Sequence, residues 1–230
     1  MLKSRFILES LLIVSIMLAT LLNANPIPVP TLMMPKEYIV IKVLSVNEAM
    51  RVRVKGVYPF SNVDYKNVTM YFPIPYDVVW ETVKVYVNEN PVGWRISEWT
   101  YGTVLGQYPV IRWVISPVPD EFNVTVIYEQ EVKYNNSVFM FLYPMATGRF
   151  LNQTYAKQCV AEVRIHLNAL TSDSEIEIAT VPPPETAFMQ NFITKIKLKA
   201  GYHNEITLYK ASKPFTPMME DILIAVSFKE

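Results

Sequence analysis

An all-β fold follows from three features of this chain. Apolar residues recur at every second position over strand-length stretches, and clusters of Gly, Pro and Asn separate those stretches. A length of 230 residues with 51% hydrophobic content is also enough to bury a substantial core. About a dozen short strands are legible, which predicts an immunoglobulin-like β-sandwich, or two small sandwiches stacked on one another, after an N-terminal signal helix.

Residues 1–24 have the layout of a secretory signal peptide. Lys3 and Arg5 precede an apolar block from Leu11 to Leu22, and Asn23-Ala24 follows it. Glu9 limits the uninterrupted run to about a dozen residues, short of the roughly 20 that a spanning helix needs. Cleavage near Ala24 is therefore expected, with an uncleaved signal anchor as the alternative. Residues 25–36 contain Pro26, Pro28, Pro30 and Pro35, which exclude a helix and predict an extended tether. Residues 37–230 form the β-sandwich region, with a sub-boundary near 144–157 or at the proline triplet 182–184.

Within that region Glu37 to Val46 is nearly continuously apolar and β-branched, which predicts a buried strand. Val52, Val54 and Val57 carry the next strand. Val68, Met70 and Phe72 then alternate with Asn67, Thr69 and Tyr71, and Val83, Val85 and Val87 alternate with Thr82, Lys84 and Tyr86. Asn88 to Gly93 supplies turn chemistry before Trp94. Glu98 to Pro109, broken by Gly102, Gly106 and Pro109, reads as a loop. Strands follow at Val110–Ile115, Phe122–Glu129, Ser137–Tyr143 and Gln158–Leu167. Shorter ones are expected at 175–179, 193–198, 205–209 and 221–228.

Charge and composition narrow the function. Lys plus Arg and Asp plus Glu both number 21, and removing the leader leaves one more acid than base. Nucleic-acid binding, which needs a basic stripe, has no support. One cysteine, Cys159, cannot form an internal disulfide. It lies seven residues from His166, an odd offset that sends the two side chains to opposite strand faces, so a thiol and its base are not paired there. Cys159 is expected to be a small buried hydrophobe. With two histidines in the chain, a metal site is not expected, and no cofactor is implied. Glu129 and Glu131, and Glu175 and Glu177, lie two apart on one strand face at about 7 Å, a spacing that glycosidase carboxylates share with any solvated strand face.

Asn67, Asn123, Asn135 and Asn152 each open a glycosylation sequon. The remaining signal is aromatic: Trp99, Tyr101 and Tyr108 crowd the region read as a loop, where such residues are expected to cap the end of the sandwich core or, as the alternative, to form a platform that binds sugars or partner proteins.

The run Val52-x-Val54-x-Gly56, Tyr58-Pro59-Phe60-Ser61-Asn62, then Met70-Tyr71-Phe72-Pro73-Ile74-Pro75 and a strand ending in Val92-Gly93-Trp94, resembles uncharacterised secreted β-sandwich proteins of archaea. It is also similar to the VIT domain, over about a quarter of the chain. The resemblance implies export and a surface location, with no activity attached. The expectation is a non-enzymatic, extracytoplasmic β-sandwich that binds a protein or a surface glycan at the cell envelope. It would touch the membrane only through an uncleaved N-terminus. A secreted carbohydrate-binding or carbohydrate-active protein is the alternative.

Overall fold

The computed structural model describes residues 32–62, 66–103, 105–135, 138–145, 159–171, 174–181, 195–199, 204–211 and 221–228. The leader, most of the tether, Asn152 and the proline triplet lie outside these residues. Among the described residues every regular element is a strand: β1 (Leu32–Met33), β2 (Lys36–Val46), β3 (Ala49–Asn62), β4 (Val68–Pro73), β5 (Val78–Val87), β6 (Asn90–Val92), β7 (Arg95–Thr103), β8 (Gly106–Ile115), β9 (Glu121–Asn135), β10 (Val138–Tyr143), β11 (Val160–His166), β12 (Ser174–Val181), β13 (Lys195–Lys199), β14 (Glu205–Ala211) and β15 (Asp221–Phe228).

Twelve strands form one curled sheet, in the order β13-β12-β15-β10-β9-β3-β2-β11-β14 with β1, β5 and β6 beside this path. The other three form a small sheet, β4-β8-β7. All pairs are antiparallel except β2 with β11, where Lys36 to Lys42 runs alongside Val160 to His166. The fold is thus all-β, as its period-two patterning predicts. Its layers are one long sheet and one short sheet.

The inner face of the large sheet meets the small one in a single core. Val52, Val54, Tyr58 and Phe60 of β3 and Phe122, Val124, Val126 and Tyr128 of β9 are buried together with Val68, Met70 and Phe72 of β4 and Ile111, Trp113 and Ile115 of β8. Phe72 packs its ring 6.0 Å from Tyr58 and 6.3 Å from Tyr128, which ties the two sheets together. On β3 the inward period runs through Gly56, so Val57 points the other way. The reason is local: the Tyr58 ring folds back over Gly56, and a Cβ there would lie 2.0 Å from the Tyr58 hydroxyl. That hydroxyl hydrogen-bonds to Tyr143 in the core.

Three expectations change. Strand β2 buries only one face, with Glu37, Ile39, Ile41 and Val43 inward and Tyr38 and Lys42 exposed, because its partners β3 and β11 leave its outer side to solvent. The end of the tether is part of the core: Leu32 and Met34 are buried, and Leu32–Met33 pairs with Ser61–Asn62. The segment read as a loop is the β7–β8 hairpin. Its turn is carried by Gly106 at φ 118°, a conformation that favours glycine, while Gly102 and Pro109 sit within the strands.

Candidate functional site

Strand β9 organises the site. Phe122, Val124, Val126, Tyr128 and Val132 all point inward, and Gln130 occupies the one polar position in that series, 2% exposed. Opposite it, β5 begins with Val78 paired to Gln130 and then bulges between Val79 and Lys84. Thr82 stabilises the bulge: its hydroxyl donates to the Val79 carbonyl and accepts from the Glu129 N–H at 2.8 Å. The bulge keeps Asp77, one residue before the strand, beside Gln130. The Glu131 N–H donates to the Asp77 carbonyl at 2.9 Å, which fixes its backbone.

Asp77, Gln130 and Tyr108 line a half-open cavity of about 320 Å³, with Tyr76, Leu105 and Met140 contributing its apolar wall and Lys133 its rim. That volume is at the small end of the range of about 300–1,000 Å³ for ligand pockets. Burial raises the Asp77 pKa above its ordinary value, and hydrogen bonds from Gln130 and from backbone N–H only partly offset this. Gln130 therefore spends its amide N–H₂ on Asp77, and its carbonyl oxygen is buried without a hydrogen-bond partner. Burial, helped by the Asp77 and Asp221 carboxylates, pushes the Tyr108 hydroxyl pKa far up, so it stays protonated, in contact with Thr103. Tyr76 is exposed and sets its ring edge-on to Tyr108 at 6.4 Å. The cavity therefore combines a carboxyl and a phenol with a lining glutamine whose unused carbonyl acceptor is buried, beside the exposed Tyr76 ring, a set suited to a small ligand bearing N–H or O–H groups.

The three aromatic residues singled out from the sequence are separated. Tyr101 and Tyr108 are buried with Val110 and Leu142, where they attach the small sheet to β10 of the large one. Only Tyr108 reaches the cavity. Trp99 lies on the surface, 42% exposed, and stacks on Tyr71 at 4.6 Å and 18°. They form no common platform, because the strand period of the hairpin and its bulge between Ile96 and Thr100 direct them to different surroundings.

Among the paired carboxylates, Glu129, Glu131 and Glu177 are engaged in ion pairs. Burial alone would raise the Glu129 pKa, but hydrogen bonds and charge from Arg53 and Arg51 hold it below the ordinary value. Glu131 lies 3.7 Å from Arg51, and Glu177 3.8 Å from Lys197. Glu175 faces Lys199 across the β12–β13 pair. A glycosidase acid needs a raised pKa, and Glu129 has the opposite. Cys159 is buried, and its thiol pKa is pushed far up by burial and by Glu37. His166 sits on the other face, 3.2 Å from Glu205. No group of three or more His, Cys, Asp or Glu is placed to hold a metal among the described residues. Asn67 and Asn123 are exposed, Asn67 accepting a hydrogen bond from the Ser116 hydroxyl, and Asn135 ends β9.

Sequence reasoning missed Gln130 and Asp77. The available signal was a glutamine on an apolar beat of a period-two strand, where an orphaned amide oxygen costs stability.

No family model and no curated protein matches the chain. Among solved structures it is similar to a protein of Legionella pneumophila described as a candidate nutrient-binding protein, at 15% identity and a TM-score of 0.57, covering 89% of this chain and 70% of that one. Yeast LTA4 hydrolase in complex with bestatin aligns at 10% identity and a TM-score of 0.46, over 90% of this chain and 30% of that one, a likeness too slight to carry an argument. The first comparison is one of fold, and it gives this all-β arrangement a solved counterpart.

Proposed function

We propose that this chain is an extracytoplasmic, non-enzymatic binding module whose ligand is a small polar molecule seated between Asp77, Tyr108 and Gln130. The observation that carries the reading is Gln130: a buried amide whose carbonyl oxygen has no partner, at the wall of an open cavity. Leaving such a group unsatisfied costs about 1 to 3 kcal/mol, a cost that an apolar side chain on the same beat would avoid. Asp77, held above its ordinary pKa by burial, adds a second group that a donor-bearing ligand would relieve. The description of the Legionella counterpart as a candidate nutrient-binding protein agrees with a binding role. The basic-then-apolar leader supports export, and the exposed Asn67 and Asn123 are available for glycosylation in a host that modifies secreted proteins.

A thermal-shift series with amino acids, polyols and neutral sugars tests the reading. A ligand at a hundred times its Kd stabilises by about 2.7 kcal/mol. For a domain of this size that is a rise in Tm of about 5 to 10 °C. The response should vanish in Gln130→Met. No response to any compound, or an equal response in the variant, would overturn the assignment.

A further inference from the structure

The outer face of the small sheet carries two opposed arginines, whereas the opposed Lys42 and Arg53 of the large sheet have the Glu129 carboxylate beside Arg53. Arg95 of β7 and Arg112 of β8 are direct cross-strand partners, and Arg112 is also opposite Tyr71 of β4. Like charges in that position destabilise an antiparallel pair. On the large sheet the arginines of β3 face carboxylates, Arg51 with Glu129 and Glu131 and Arg53 with Glu129. Neither Arg95 nor Arg112 has a carboxylate in ion-pair range among the described residues.

The two arginines line a groove of about 330 Å³ together with Thr69, Trp94 and Trp113. One donor of a lining residue, the Arg112 Nε–H, is buried without an acceptor. The Trp113 side chain leaves the groove for the core on the other face of the sheet. Trp94 is fixed in orientation, its indole N–H donating to the Val83 carbonyl at 3.2 Å and its ring 5.9 Å from Trp80. A Cβ added at the neighbouring Gly93 would meet nothing within 4 Å, so the approach to this end of the groove is open. An unpaired guanidinium donor, two facing arginines and a fixed indole call for one complement: an oxyanion carried on a compact ring. The guanidinium fork matches the two oxygens of a carboxylate or sulfate, and tryptophan packs against the C–H face of a sugar.

We infer that this groove is a second binding site, specific for an acidic sugar, with Arg112 and Arg95 holding its carboxylate or sulfate and Trp94 supporting its ring. It lies on β4, β7 and β8 and shares no lining residue with the Asp77–Gln130 cavity, so either site stands without the other.

The test is an NMR titration of the full chain with glucuronate, glucose 6-sulfate and glucose, read at the Trp94 indole N–H and Arg112 Nε–H signals. Millimolar glucuronate or glucose 6-sulfate should shift them, the stronger of the two identifying carboxylate or sulfate as the group held, and glucose should bind at least about tenfold more weakly. Arg112→Gln should weaken the acid by about tenfold or more, while Gln130→Met leaves it unchanged. Arg95→Gln, at an exposed position, guards against a misfolded variant: it should weaken the acid and raise Tm without ligand, because it relieves the opposed charges. No shift with either acid, equal shifts with glucose, or an unaltered response in both arginine variants would overturn the site.

Discussion

Glu129 and Gln130 are neighbours on β9, and the strand sends them to opposite faces with opposite outcomes. On the outer face Glu129 is held by Arg51 and Arg53 and its pKa falls. On the inner face Gln130 pairs with Asp77, whose pKa rises, and leaves its own carbonyl unsatisfied. The first arrangement is complete within the chain. The second is left open within the chain, and the proposed ligand would complete it. The contrast separates charge that stabilises the sheet from buried polarity that the fold tolerates at a cost.

The largest effect expected on the inner face lies away from the cavity, where packing is complete. Phe72→Ala removes a buried ring between Tyr58 and Tyr128 and should cost about 3 to 5 kcal/mol in chemical denaturation. Thr69→Ala, on the other face of the same strand, should cost no more than about 1 kcal/mol. Similar losses from the two would contradict the division of faces. Gly56→Ala comes next. Its Cβ would displace the Tyr58 ring from its contact with Tyr143, and overpacking of this kind costs about 1 to 3 kcal/mol. A neutral result would mean that the ring moves aside freely.

The two carboxyls of the comparison should respond to pH in opposite senses. The folded pKa of Glu129 is below its ordinary value of 4.5, so its contribution is present above that value and is lost as pH falls through the folded pKa. The folded pKa of Asp77 is above 3.8, so it burdens the fold at neutral pH, and that burden lifts as pH falls through the folded pKa. Asp77→Asn should therefore stabilise the protein at pH 7 and flatten this part of the profile, whereas Glu129→Gln should destabilise it there. Denaturation midpoints at neutral and acid pH decide between these directions and a uniform response. The smallest effect belongs to the β5–β6 turn, where Asn88 and Glu89 both have positive φ, at 47° and 68°. Glu89→Gly should gain about 0.5 to 1 kcal/mol, since glycine adopts the left-handed conformation without strain. It should leave both proposed sites untouched.

Much of the fold was legible because strand periodicity is a local property. Val68, Met70 and Phe72 are buried as their alternation requires, and so are Val83 and Val85. Cys159 and His166 lie on opposite faces as their spacing demands. What failed depended on partners distant in the chain. The β7–β8 hairpin looked like a loop because Gly102 and Pro109 are breakers, yet pairing with β4 and burial of Tyr101 and Tyr108 against Leu142 carry it as a sheet. The parallel β2–β11 pair joins segments more than a hundred residues apart, which no period reveals. The cavity was hidden for the same reason: Asp77 and Gln130 are adjacent only because β5 and β9 pair with a bulge. Of the residues marked in advance for binding, Tyr108 alone lines that cavity.

The most direct measurement is the stability of Gln130→Met without ligand, by chemical denaturation. Because Gln130 also donates to Asp77, the substitution is made in an Asp77→Ala background; if the glutamine is retained for binding, replacing it there with an apolar side chain of similar length removes an unsatisfied acceptor, and the double variant should be as stable as Asp77→Ala or more stable by up to about 3 kcal/mol. A loss of about 2 kcal/mol or more would show that Gln130 supports the fold, and would contradict the account of the cavity as a ligand site.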